Sequence, residues 1–215
     1  MELDYSVIFE RLPSLLKGAW VTIYISAITL VLALILGVVL ALFRDSKVWI
    51  LSKSAAVYIW VFRATPLLVQ LFILYFGLPN IGVKLSSMSS AILGLSLNTA
   101  AYVAETVRSG IHAVDPGQRE AARALGMNKF LEMTRIVAPQ AAKICLLPLV
   151  NQFIITIKNS SMVSLVTITE LLRAGDQIIY STFRHFEVYT SVAVIYLIIN
   201  SALMLLANYI QRKLV

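Results

Sequence analysis

Apolar residues run through this chain in five long blocks divided by shorter polar ones. Stretches free or nearly free of charge extend from Gly18 to Phe43, Ala64 to Val83, Leu85 to Ala104, Ile136 to Ile157 (broken by Lys143) and Val188 to Gln211. Each supplies the roughly 20 residues that cross a hydrocarbon core of about 30 Å. The pattern predicts an all-α membrane protein with five transmembrane helices in a single domain over residues 1–215. The second span starts earlier, near Ala55, which places Arg63 inside the membrane, and Pro66 kinks it or frees a backbone carbonyl near Arg63. Ahead of the first span, Val7, Ile8, Leu12, Leu15 and Leu16 recur at near-helical spacing, which predicts a short amphipathic helix over residues 1–17 lying on the outer interface.

The longest polar interruption, Asp115 to Pro139, has its own helical punctuation. Asp115 can cap a helix, Pro116 fits its first position, Gln118 stands where a capping box puts its third side chain, and Gly126 follows Leu125 where a helix-terminating glycine belongs. Met127 to Ile136 then restarts a helical pattern. Residues 158–187 form a second mixed segment, with Leu171, Leu172, Ile178 and Ile179 among charges; they predict an outer helix dipping back over the pathway as part of a gate.

Composition agrees with the span pattern: 59% hydrophobic and 13% charged residues, with a mean hydropathy of +0.83, are too apolar for a water-soluble domain of this length. Charge then orients the spans. The first link carries Arg44, Lys47 and Lys53; the third carries Arg108, Arg119, Arg123, Lys129 and Arg135; the tail adds Arg212 and Lys213. The opposite side has Glu2, Asp4 and Glu10 against Arg11 and Lys17, and only Lys84 in the second link. The positive-inside rule puts the N-terminus outside and the C-terminus in the cytoplasm. The net charge of +7 is thus topological and does not point to nucleic acid. Acidic residues ahead of the first apolar run, with no basic leader, predict that this span is retained.

Candidate chemistry is confined to polar groups at membrane depth, where they are costly and face protein or a water-filled cavity. Asn98, Tyr102 and Glu105 share one face of the third span, and Arg63 reaches a similar depth, able to pair with Glu105 or to meet a ligand. Lys158, Asn159, Ser160 and Ser161, with Ser164 beyond, form a second cluster; they either bind a solute or satisfy the last carbonyls of a helix. Glu105, Glu170 and Asp176 offer negative charge to a cationic solute, Arg63 and Lys158 positive charge to an acidic one. Cys145 is alone, and His112 and His185 have no neighbours at metal-ligand spacing. With no nucleophile, phosphate-binding glycine loop or carboxylate pair, this subunit is not expected to hydrolyse ATP. A channel or secondary transporter would need ion-coupling carboxylates near mid-membrane, where only Glu105 comes close.

The run EAARALG followed by Ile136 and Pro139 resembles the EAA loop of ABC importer permeases, and FRATPLLVQ (Phe62 to Gln70) and LNTAAYVAETVRSGI (Leu97 to Ile111) resemble the polar amino-acid branch of that family. The resemblance covers roughly Gly18 to the C-terminus. It implies a type I ABC importer permease fold in the cytoplasmic (inner) membrane of a prokaryote. It also implies a coupling helix bearing Glu120, Ala121, Ala122, Arg123 and Gly126, and a polar amino acid as substrate; the candidates to meet that solute are Arg63, Gln70, Asn98, Tyr102, Glu105 and Lys158 to Ser161, and Glu105 on the polar face favours a basic one. A permease for another small solute is the nearest alternative. The implied partners are a dimer of cytoplasmic ATPases, which would bind ATP and Mg, a second permease subunit (identical or not), an extracytoplasmic amino-acid-binding protein and membrane lipids. No cofactor is implied on this subunit.

Overall fold

The computed structural model describes residues 3–214; Glu2, counted above in the charge asymmetry, lies outside the described residues. Helix α1 (Ser6–Arg44) runs unbroken for 39 residues, about 58 Å at 1.5 Å per residue. The amphipathic segment expected on the interface forms the first turns of α1: its Ile8 and Leu15 pack against Leu171, Ala174 and Ile178, while Leu12 and Leu16 stay exposed. Just before α1, the Asp4 backbone N–H donates to Glu187 Oε1 at 3.2 Å, and hydrogen bonds from the Ser6 hydroxyl and amide hold the Asp4 carboxyl below its ordinary range.

The second span is not one helix. Helix α2 (Trp49–Ala64) and α3 (Leu67–Phe72) are separated by Thr65 and Pro66, both extended, and α2 meets the stretch Leu67–Ile81 at a bend of 104°. The cause is local: proline supplies no N–H and pushes its predecessor out of the helical region. After α3 the chain passes through a π-helical turn (Ile73–Gly77) and a short 3₁₀ turn (Leu78–Ile81).

Helix α4 (Ser87–His112) is the centre of the molecule, in contact with α1, α2, α3 and α7. It is long enough to span but buries Ser90, Ser96, Asn98 and Thr99, so it lacks the apolarity of a lipid-facing helix. Three described helices are long and apolar enough to cross a membrane (Ser6–Arg44, Lys129–Val166 and His185–Lys213), or four with the bent pair; the sequence pattern predicts five. Polar side chains within a membrane span face protein or a water-filled cavity, and a helix wrapped by its neighbours offers such faces. Helices α1 and α4 meet at Gly37, where an added Cβ would sit 2.5 Å from Val103 Cγ1 and 3.1 Å from the Ala100 carbonyl oxygen. Gly37→Leu is expected to cut the folded yield in membranes at least about fivefold, consistent with overpacking costs of about 1–3 kcal/mol. Gly77→Ala, whose Cβ meets nothing closer than 3.8 Å, is the comparison expected to accumulate normally.

Beyond α4 come α5 (Pro116–Ala124), α6 (Lys129–Leu131), a π-helical turn (Glu132–Val137) and α7 (Ala138–Asn159), which tightens into a 3₁₀ stretch (Ser160–Val166). Helix α8 (Leu171–Thr182) lies against α1 and α9 (His185–Leu214).

Candidate functional site

The break between α2 and α3 is held by two buried amides. Gln70 Nε2 donates to the Phe62 carbonyl at 3.0 Å, to Thr65 Oγ1 at 2.8 Å and to the Thr65 carbonyl at 3.2 Å. Asn98 Nδ2 donates to the same Phe62 carbonyl at 3.0 Å and to Gln70 Oε1 at 3.1 Å. The carbonyls that Pro66 releases are thereby satisfied inside the protein, as a broken helix at membrane depth requires.

Fixing the break sets Arg63, in the last turn of α2, over the Tyr102 ring, with Cζ 5.4 Å from the ring centroid, within cation–π range. Two adjoining cavities of about 500 and 490 Å³ open here, and Arg63, Tyr102 and Gln152 line both. The first adds Glu105, Thr106 and Ser109; the second adds Thr65, Asn98 and Asn159. A guanidinium, a carboxylate, a phenol and amides thus converge on one polar space between α2, α4 and α7, able to meet both charges of a zwitterion.

Arg63 and Glu105 share this space without forming an ion pair among the described residues. Glu105 accepts instead from Arg108 Nη1 at 3.4 Å, one turn along its own helix, while Arg108 Nε donates to Asp45 Oδ1 at 3.0 Å. His112 Nε2 lies 2.6 Å from Asp45 Oδ2, so this network ties α4 to the α1–α2 link.

Of the second cluster, Asn159 reaches the cavity. The Ser160 hydroxyl donates to the Ile157 carbonyl at 2.8 Å and that of Ser161 to the Lys158 carbonyl at 2.7 Å; both satisfy the helix end. Lys158 is exposed and lines neither cavity. Glu170, read from sequence as charge for a cationic solute, is fully buried and caps α8, so it is out of a solute's reach.

Gln152 escaped the sequence reading. It stands on the same face of α7 as Thr156 and Asn159, spaced four and three residues apart, and an amide in an apolar block, two helical turns before Asn159, was the available signal.

At the polar end, Asp115 Oδ1 accepts from the Gly117 N–H at 2.6 Å with Pro116 at the first helical position. The other end of α5 closes as a Schellman motif: Met127 N–H donates to the Ala122 carbonyl at 3.0 Å and Gly126 N–H to that of Arg123 at 2.9 Å, with Gly126 at φ +77°. Asn128 caps the restart. Arg123 pairs with buried Glu132 through Nε at 2.8 Å and Nη2 at 3.2 Å, while Glu120 and Ala121 stay exposed and Ala122 is buried. Leu125 (83% exposed) and Phe130 (74% exposed) flank Gly126.

The model describing the binding-protein-dependent transport system inner membrane component matches residues 7–215. The chain belongs to this family. Among the relatives of this multi-pass membrane component, the probable amino-acid ABC transporter permease protein YckA of Bacillus subtilis (strain 168) is 39% identical, covering 95% of this chain and 90% of that protein. The glutamine transport system permease protein GlnP of Escherichia coli (strain K12) is 34% identical over 100% and 99%. The arginine transport system permease protein ArtQ of Bacillus subtilis (strain 168) is 36% identical over 100% and 98%. A solved structure described as an amino acid ABC transporter with histidines superposes with a TM-score of 0.94 at 36% identity, covering 99% of this chain and 100% of that one. An inward-facing MetNI methionine ABC transporter, 20% identical with a TM-score of 0.78 and covering 94% and 96%, shares the fold.

Proposed function

We propose that this chain is the transmembrane subunit of an ATP-driven importer that carries a polar amino acid across the cytoplasmic membrane of a prokaryote by alternating access. The observation that carries the reading is the cavity pair shared by Arg63, Tyr102 and Gln152, a polar space with both signs of charge. The relatives named for amino acids, glutamine and arginine support it. Arg63 meets the solute carboxylate, Glu105 the ammonium or a cationic side chain, and Gln152, Asn98 and Asn159 fix orientation. All five apolar blocks cross the membrane, with the N-terminus outside and the C-terminus in the cytoplasm, as the basic first and third links favour.

That orientation puts α5 in the cytoplasm, where it acts as the coupling helix. Glu120, Ala121 and the exposed Leu125 and Phe130 offer a surface to a dimer of ATPases, which bind the ATP and Mg. Arg123, held by Glu132, transmits their motion to α7. A second permease subunit completes the pathway, and an extracytoplasmic binding protein delivers the solute.

The test is ATP hydrolysis by the full chain reconstituted in liposomes with its cognate ATPase and binding protein, scanned over the amino acids. Stimulation by one or a few polar amino acids is expected; failure to associate with any ATPase overturns the reading. In the same assay Gln152→Ala is expected to raise the KM for the stimulating amino acid about 3- to 10-fold with unchanged membrane yield, the effect of losing about one hydrogen bond. Glu105→Ala is expected to erode discrimination between arginine and glutamine; unchanged discrimination removes the basic-solute assignment.

A further inference from the structure

Helix α2 carries two further recesses besides the polar cavities. Near the helix start, a groove of about 510 Å³ is lined by Trp49, Ile50, Lys53, Ser54, Val57 and Tyr58. Near its end, at the bend, a pocket of about 220 Å³ is lined almost wholly by apolar groups, among them Val61, Phe62, Val69, Ile73, Leu74 and Leu97. Ile50, Ser54, Val57 and Val61 follow one another at spacings of four, three and four residues, so groove and pocket lie along one helix face. The wall between them is continuous: the Tyr58 and Phe62 rings have centroids 4.5 Å apart, and the Tyr58 hydroxyl is fixed to the Leu97 carbonyl at 2.8 Å.

The two ends differ in chemistry in the way a phospholipid does. Lys53 in the groove and Lys47 in the preceding link are exposed and form no ion pair among the described residues. Trp49, 72% exposed at the helix start, is the residue type that anchors at a headgroup boundary. From Lys53 to Val61 the helix rises about 12 Å, and a single leaflet contributes about half of the 30 Å hydrocarbon core. The apolar pocket therefore lies where an acyl chain ends when its phosphate sits at Lys53.

We propose that this face of α2 binds one anionic phospholipid, its phosphate at Lys53 with Lys47 nearby and one acyl chain seated in the pocket at the α2–α3 bend. Charge complementarity selects an anionic headgroup, and the pocket selects a lipid over a free phosphate or a soluble anion. The site has a mechanical consequence. Thr65 borders both the lipid pocket and the polar cavity, so the acyl chain braces from outside the bend that positions Arg63 inside.

The experiment is native mass spectrometry of the full chain purified from membranes in mild detergent, titrated with phosphatidylglycerol and with phosphatidylcholine. Wild type is expected to retain phosphatidylglycerol about fivefold or more over phosphatidylcholine, the preference one surface lysine confers. Lys53→Glu, with Lys53→Gln as a milder variant, is expected to abolish that preference while keeping the unfolding temperature. Val69→Trp, which fills the pocket, is expected to lose retention of both lipids. Lys84→Glu, a basic residue outside both recesses, is expected to behave as wild type. Equal retention of the two lipids by wild type, or retention unchanged by both the Lys53 and Val69 substitutions, overturns the proposal. So does a cysteine at Val57 that cross-links to a second copy of this chain across the same face.

Discussion

Gly126→Val is expected to lower ATP-driven uptake to below about a tenth of wild type while leaving the chain in the membrane at near-normal yield. The glycine closes α5 at φ +77°, a conformation that costs an L-residue about 1–2 kcal/mol and suits a β-branched one least. Nothing lies within 4 Å of an added Cβ, so the penalty is borne by the backbone and not by packing. The strain is relieved by opening the paired bonds from Met127 and Gly126 to the Ala122 and Arg123 carbonyls, which displaces Leu125 from its place beside Glu120 and Ala121. An exposed helix end contributes little to global stability, so thermal unfolding should barely move while co-purification of the ATPase falls. Gly126→Asn, which tolerates the left-handed region, should recover most of the uptake. Wild-type uptake and ATPase association in Gly126→Val would remove α5 from the coupling path.

The second large effect falls on stability. Glu170 is fully buried, and its carboxylate accepts from the Leu172 and Arg173 N–H groups, both at 2.9 Å, from the Tyr196 hydroxyl at 3.0 Å and from Thr22 Oγ1 at 3.4 Å. The Leu171 N–H donates to the same Thr22 hydroxyl at 3.2 Å. One side chain thus caps α8 and joins it to α1 and α9. The helices approach closely at this point: a Cβ on Gly18 would lie 2.9 Å from Ala174 Cβ and 3.0 Å from the Glu170 carbonyl oxygen. Glu170→Leu strands two backbone donors and two hydroxyls, a loss of about 3–4 kcal/mol from cap and desolvation terms together. The expected drop in unfolding temperature in detergent is on the order of 10 °C. Glu170→Gln should lose markedly less, because the amide oxygen still accepts. Tyr196→Phe, worth about 1 kcal/mol alone, should add almost nothing to Glu170→Leu, since the two share one bond. Full additivity of that pair would show that the Tyr196 bond does not contribute.

Glu170 and Glu105 show where residue order and spatial structure part. As letters both are acidic residues close to apolar blocks, and both were available to a cationic solute. Packing turned Glu170 into the inner cap of α8 and left Glu105 beside an open cavity. Ser160 and Ser161 divided from Asn159 in the same way: short hydroxyl side chains reach the carbonyls one turn back, whereas the longer amide side chain of Asn159 extends to the cavity.

What residue order determined by itself is what depends on short-range chemistry. The helical character follows from long apolar blocks, the boundaries of α5 from Asp115, Pro116 and Gly126, and the break near Arg63 from Pro66, because capping and proline sterics act within about one helical turn. Which apolar and polar faces meet depends on residues far apart in the chain. Only the folded structure merged residues 6–17 into α1 against α8, satisfied the carbonyls freed at the 104° break with the Gln70 and Asn98 amides, and brought Gln152 to the cavities that Arg63 lines. These outcomes come from packing between helices, where burial and hydrogen-bond satisfaction are decided by neighbours that local sequence does not specify.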